Sequence, residues 1–179
     1  MVFSELSFLF FFLPTVVILY FALPGRVCKN GVLLLASLFF YAWGEPRHVL
    51  VMLCAALVAY VGGLLLHRCR EKGKNRWKRA VFLLTVGLLV LNLLIFKYLG
   101  FLSANLAWLP FWPLPEMELA LPIGISFYTF QILSYVIDLY WGKVKVQKHF
   151  LLLLLYLSFF PQLIAGPIVR YETVEKEIL

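Results

Sequence analysis

The 179 residues are 63% hydrophobic and only 14% charged, and the mean hydropathy is +0.92. A soluble globular domain carries about a quarter of its residues as charges, so that class is excluded and an integral membrane protein is indicated. The net charge of +7 would suit a nucleic-acid partner, but the basic residues are confined to short segments between apolar runs. That is the pattern of a membrane topology signal and not of a nucleic-acid interface.

Taken in order, the chain reads as an all-α, integral membrane helical bundle of about five to six membrane segments, some short or broken, forming a single membrane domain over residues 1–179. Leu6 to Leu23 is a first span interrupted only by Ser7, Pro14 and Thr15, and Pro24-Gly25 turns the chain. No Lys or Arg precedes this run and no small-x-small cleavage pattern follows it, so it is expected to remain as an anchor and not to be removed as a signal peptide. Gly31 to Trp43 is apolar but short, and crosses only if Val27 to Asn30 extends it while Lys29 snorkels. After the polar turn Glu45-Pro46-Arg47-His48, Val49 to Leu66 is a clear third span.

His67 to Arg79 holds Arg68, Arg70, Lys72, Lys74, Arg76, Lys78 and Arg79 against one acid, Glu71. It reads as a cytoplasmic loop, with contact to anionic lipid head groups as a minor role. Val81 to Phe96 is a fourth span. Phe101 to Glu118, with Trp108, Pro110, Trp112, Pro113 and Pro115, reads as an interfacial loop, with room for a short helix lying in the head-group layer. Placing the basic loops inside puts the N-terminus outside. Gly62, Gly63 and Gly87 read as sites of close helix packing.

The fifth segment, Leu121 to Tyr140, has the most polar content. At ~100° per residue, Gly124, Phe127, Tyr128, Gln131, Ser134, Tyr135, Asp138 and Gly142 share about a third of the helix circumference. Ile125, Ile132, Leu133, Val136, Ile137 and Leu139 lie outside that arc. Pro122 suits the first turn, where its missing N–H costs nothing, so the helix is predicted to start there. Tyr128, Gln131, Ser134, Tyr135 and Asp138 are the candidate lining of a polar passage. Asp138 has two readings that the residues leave open: an intramembrane functional carboxylate, or a helix-end residue reaching the interface.

Trp141 to His149 is a second basic loop, with Lys143, Lys145 and Lys148. Phe150 to Ile164 is short for a crossing and contains Pro161, so a bent or dipping element is predicted, stopped by Ala165-Gly166-Pro167. The tail from Ile168 is mixed in charge and amphipathic. Cys28, Cys54 and Cys69 are odd in number and lack CxxC spacing, so no disulfide framework or metal site is expected. His48, His67 and His149 sit in polar turns or basic loops and read as solvated or interfacial. No carboxylate pair, Ser/His/Asp set or Gly-rich phosphate loop is present. Gln162 and Arg170 are candidates for contact with an acyl donor or head group, against a plainer role in helix-end hydrogen bonding and snorkelling.

Two runs carry more than composition: Leu121-Pro122-Ile123-Gly124-Ile125-Ser126-Phe127-Tyr128 through Ser134-Tyr135-Val136-Ile137-Asp138, and Phe159-Phe160-Pro161-Gln162-Leu163-Ile164-Ala165-Gly166-Pro167-Ile168-Val169-Arg170. With Met1-Val2-Phe3-Ser4 and the run Leu33 to Trp43, they resemble the membrane-bound O-acyltransferase family, in particular its bacterial branch related to alginate O-acetyltransferase. The resemblance implies transfer of an acyl group, commonly acetyl, from acetyl-CoA or another cytoplasmic thioester to an exported polysaccharide or similar acceptor. It implies residence in the bacterial inner membrane, often beside a separate extracytoplasmic acetyltransferase, and no bound cofactor. The family's catalytic histidine lies in a later segment that nothing here matches, so this chain resembles the N-terminal portion, is expected to be inactive alone, and has no catalytic residue to assign. The family's frequent Tyr-Arg-Gly reads Tyr140-Trp141-Gly142 here.

Two other readings stay open on the residues. A small transporter or channel subunit would suit broken helices and an intramembrane carboxylate, although no second half with corresponding breaks is present. A non-catalytic membrane scaffold is the other.

Overall fold

The computed structural model describes residues 6–106, 122, 124–165 and 169–178, and all regular structure among them is helical. A π-helical stretch, Phe8–Phe12, leads into α1, Leu13–Ala22. Pro14 explains the irregularity: it has no N–H to give the carbonyl four residues back, and the Leu13 N–H bonds instead to the Phe8 carbonyl, five residues away. The Thr15 hydroxyl donates to the Phe11 carbonyl at 2.6 Å, so this polar interruption satisfies itself within the helix.

The predicted Pro24-Gly25 turn is present, with Gly25 at φ 80° leading into α2, Arg26–Gly44. The doubtful second span is thus lengthened at its N-terminal end, and Lys29 places its ammonium 5.1 Å from the Tyr20 ring centre. After the Glu45–His48 turn come α3, Val49–Glu71, and α4, Asn75–Leu106. Two expectations are corrected here. The basic stretch from His67 to Arg79 is mostly helix, because α3 runs on to Glu71 and α4 starts at Asn75, leaving only Lys72–Lys74 as a turn with Gly73 at φ 63°. The fourth helix also continues past Lys97-Tyr98 to Leu106, so the predicted interfacial loop does not begin at Phe101. Its 32 residues make a rod of about 48 Å, well beyond a ~30 Å hydrocarbon core. The remainder of that predicted loop, from 107 to 118, lies outside the described residues, as do Leu121, Ile123, Gly166 and Pro167.

The later elements are α5, Ile125–Trp141; α6, Phe150–Ser158; α7, Phe160–Ala165; and α8, Tyr171–Ile178. The predicted bend in the sixth segment is real and falls at Phe159, whose ψ of 106° leaves the helical region. Pro161 ends up in the first turn of α7, where its missing donor is tolerated, and the Phe159 carbonyl takes both the Gln162 and Leu163 N–H groups at 3.0 Å. Three helices, α2, α3 and the 75–98 part of α4, are long and apolar enough to cross a membrane, and Phe8–Ala22 is a shorter apolar helix.

The third helix is the centre of the bundle, packing on α4, α5 and α6. Its buried residues are Met52, Ala55, Ala56, Ala59, Gly62, Gly63 and Leu66, a seam with the three- and four-residue steps of a helix face. Within lipid there is little hydrophobic gain in pairing two apolar helices, so close backbone approach through small residues supplies the contact energy. Gly62 lies against Thr85 of α4, and Gly63 lies against Leu139 and Tyr135 of α5. Gly87, read from sequence as a packing glycine, faces open space among the described residues. A separate aromatic cluster of Phe8, Phe12, Phe40 and Phe160 ties the first segment to α2 and α7, with ring centres 5.4 to 6.1 Å apart.

Candidate functional site

The candidate site is built around α5. Its start differs from the expectation: Gly124, at φ 74°, is the N-cap, so the helix begins at Ile125 and Pro122 stands outside it. An αL residue there needs a glycine, and a side chain at 124 would also meet the Leu163 carbonyl at 3.3 Å. The C-terminal end closes with Gly142 at φ 77°. The Lys143 N–H bonds to the Asp138 carbonyl at 2.9 Å and the Gly142 N–H to the Leu139 carbonyl at 3.1 Å, the paired bonds of a Schellman ending.

Burial around α5 is broader than one polar face. Ile125, Ile132, Val136 and Leu139 are buried as deeply as Tyr128, Gln131 and Tyr135, because α3, α4 and α6 all pack on this helix. The exposed stripe holds Phe127, Phe130 and Trp141. Phe127, placed on the polar arc by angle alone, therefore faces outward, and Ser134 is half-buried beside the same stripe. Ser134 spends its hydroxyl on the Gln131 carbonyl at 2.7 Å.

What the structure assembles is a buried tyrosine and glutamine network. Gln131, 3% exposed, donates from Nε2 to the Tyr156 carbonyl on α6 at 2.7 Å. The Tyr135 hydroxyl accepts the Gln147 backbone N–H at 3.0 Å. Gln147 in turn donates from Nε2 to the Tyr171 hydroxyl at 2.9 Å and accepts the His149 N–H on Oε1 at 3.0 Å. Tyr156 donates to the Val169 carbonyl at 2.9 Å. The Tyr171 ring stands edge-on to Tyr135 and Tyr156, with centroids 4.8 and 5.2 Å away. Gln147, Tyr156 and Tyr171 were not singled out from sequence. They lie on three different elements, and no spacing signals their meeting.

The hydroxyls of Tyr128, Thr129 and Ser158 are buried with no hydrogen-bond partner among the described residues. Two residues beyond Ser158, the Phe160 N–H donates to the Ser37 hydroxyl of α2 at 3.4 Å across the helix break. Polar side chains thus extend from the network into the centre of the bundle, where lipid could not satisfy them.

Asp138 is a helix-end residue and is nonetheless buried, at 5% exposure. A carboxylate in a last helical turn opposes the helix dipole, and Lys143 Nζ stands 4.0 Å away to offset it. Gln162 is half-buried and shares a 310 Å³ cavity with Tyr20, Asn30, Tyr156 and Val169. Arg170 is exposed at the start of α8 and does not line that cavity, so the two proposed donor contacts are not brought together. His48 is half-buried in its polar turn: its Nδ1 is 2.7 Å from Glu45 Oε2, with both side chains 18% exposed. His67 pairs with Glu71 at 3.4 Å.

An arginine does reach Gly142, from α3. A Cβ built at 142 would lie 2.5 Å from Arg70 Nη1 and 2.9 Å from Cζ. Gly142→Ala therefore combines a left-handed φ, costing about 1–2 kcal/mol, with displacement of the guanidinium. Thermal unfolding should show that loss, and adding Arg70→Ala should recover only the part due to the clash.

The apolar spans, the broken helix and the buried, hydrogen-bonded tyrosine and glutamine network define a multi-pass α-helical membrane protein. No protein-family model matches the chain, and no solved structure matches it. Among curated proteins, it is 37% identical over 178 residues to the probable alginate O-acetylase AlgI of Pseudomonas putida, covering 96% of this chain and 36% of that protein. The corresponding protein of Pseudomonas aeruginosa is 36% identical, with 96% and 33% covered. A peptidoglycan O-acetyltransferase of Helicobacter pylori is 32% identical over 203 residues, with 96% and 37% covered. The chain is homologous across nearly its whole length to the alginate O-acetylases of the membrane-bound O-acyltransferase family. It spans about a third of the length of these relatives.

Proposed function

We propose that this chain is the N-terminal part of a membrane O-acyltransferase that moves an acyl group, in the first instance acetyl, from acetyl-CoA or another acyl thioester to an exported polysaccharide or similar acceptor. The observation that carries this reading is the buried hydrogen-bonded network of Gln131, Tyr135, Gln147, Tyr156 and Tyr171, set in a chain homologous to alginate O-acetylases over 96% of its length. Acyl transfer to a hydroxyl needs a water-poor passage with fixed polar groups. Tyr128, Gln131, Ser134, Tyr135 and Asp138 are its wall on this side, and Gln162 and Arg170 are donor or head-group contacts. This part supplies the wall and the donor entrance and contributes no catalytic base, so it is inactive by itself.

Five to six segments then sit in the bacterial inner membrane, with the N-terminus outside and the basic ends of α3, α4 and α5 inside, as the excess of Lys and Arg there favours. The partners are the bilayer, the C-terminal catalytic half and a separate extracytoplasmic acetyltransferase.

The test is a chimera in which residues 1–179 replace the matching segment of the Pseudomonas putida relative, assayed for polymer-bound acetate. Acetylation is expected, with Gln131→Leu lowering it about tenfold or more, since the Tyr156 carbonyl loses its donor and one positioned wall group is gone. A folded chimera that acetylates equally with and without Gln131 would overturn the lining role. A folded chimera with no acetylation would count against the family activity for this segment.

A further inference from the structure

Basic residues that the sequence spreads over two distant stretches converge on one pocket. Between the end of α3 and the 142–148 loop lies a 730 Å³ pocket whose rim carries His67, Arg70, Lys143, Lys145 and Lys148, with Glu71 as its one acid. Glu71 is engaged by His67 at 3.4 Å, and Lys143 faces the buried Asp138 at 4.0 Å. Among the described residues, no carboxylate lies within ion-pairing distance of Arg70, Lys145 or Lys148. Leu66, Leu139 and Val144, all buried, form an apolar floor.

Lysines on a loose loop would splay apart to relieve their repulsion. Here the backbone holds them. The Schellman bonds fix Gly142 and Lys143, the Gln147 side chain is anchored on Tyr171 and the His149 N–H, and the Tyr60 hydroxyl of α3 donates to the Lys148 carbonyl at 2.8 Å. Arg70 is packed against the bare face of Gly142. Three cations held around a concavity with an apolar floor raise one another's energy unless an anion sits among them. The guanidinium fork and the lysine point charges are suited to phosphate oxygens, and the floor is suited to an apolar chain leading away from that phosphate.

We propose that this pocket binds a phosphate group carried on an apolar chain. Trp141, next to Gly142 and 65% exposed, is a residue type that settles at head-group level, so an anionic phospholipid is one source. A soluble alkyl phosphate is the other. The site requires no acyl transfer and stands apart from the reading above.

The test uses the full chain in nanodiscs of phosphatidylcholine with and without phosphatidylglycerol, with bound lipid counted by native mass spectrometry and hexyl phosphate titrated as the soluble probe. Retention of phosphatidylglycerol over phosphatidylcholine, or saturable binding of hexyl phosphate, supports the site and tells the two sources apart. Arg70→Gln with Lys148→Gln should weaken the bound species about tenfold or more. Lys148→Gln alone keeps the loop's backbone anchors and should give a smaller loss in the same direction. Lys72→Gln with Lys74→Gln removes equal charge from the neighbouring turn and should leave binding unchanged. Binding of neither probe, or equal loss in the two double variants, overturns the proposal.

Discussion

Gly62→Leu should cost about 3 kcal/mol or more of folding stability, at the upper end of the range for overpacked interiors, whereas Gly87→Leu should stay within about 0.5 kcal/mol. Both glycines look alike in the sequence. At Gly62 even a single added carbon overlaps the Thr85 side chain, which is itself buried and held by its hydroxyl on the Val81 carbonyl at 2.8 Å. Thr85 cannot swing away without breaking that bond, so α3 and α4 must separate along the seam that centres the bundle. At Gly87 an added carbon meets open space among the described residues. Thermal unfolding of the two variants in the same detergent measures the difference, and equal losses would show that the α3 and α4 contact is not close-packed at Gly62.

Gln147→Leu should cost about 2–4 kcal/mol and free the 142–149 segment. Its side chain makes two bonds at once, to the Tyr171 hydroxyl and from the His149 N–H. Replacement takes one bond from the buried Tyr171 hydroxyl and the side-chain acceptor from the part-buried His149 N–H, at about 1–3 kcal/mol for each group left under-satisfied. The effect should spread in a defined way: faster amide exchange in the loop and in α8, which is docked through Tyr171 on Tyr135 and Tyr156. Exchange in the centre of α3 should change little. If exchange rises uniformly, the network is a general stabiliser and not the anchor of that loop.

These two sites differ in how far the chain's own pattern reveals them. The Gly62-Gly63 pair announces helix contact by residue type, because small residues between apolar runs have few other uses in lipid. Which glycine is packed and which is not depends on the rotation of α3 against α4 and α5, and Gly87 shows the limit. For α5 the polar periodicity correctly marks Tyr128, Gln131, Tyr135 and Asp138 as interior. It misplaces Phe127, since an angular sector records only position around the axis and not which neighbours surround the helix. Pro122 suits a first helical turn, yet the helix starts after Gly124, where a left-handed residue caps it against Leu163. That contact is made with a residue 39 positions away in the chain.

Composition and hydropathy alone determined that this is a helical membrane protein, because a chain so apolar and so poor in charge has no soluble alternative. Residue chemistry likewise determined the turn at Pro24-Gly25 and the break near Pro161, since proline removes a backbone donor wherever it stands. Only the tertiary structure decided that Gln131 and Tyr135 reach Tyr156 and Gln147, that Asp138 is a buried helix end facing Lys143, and that Arg70 shares a pocket with Lys145 and Lys148. Hydrogen bonds and charge act over a few ångströms of space, and separation along the chain carries no information about them until the helices have packed.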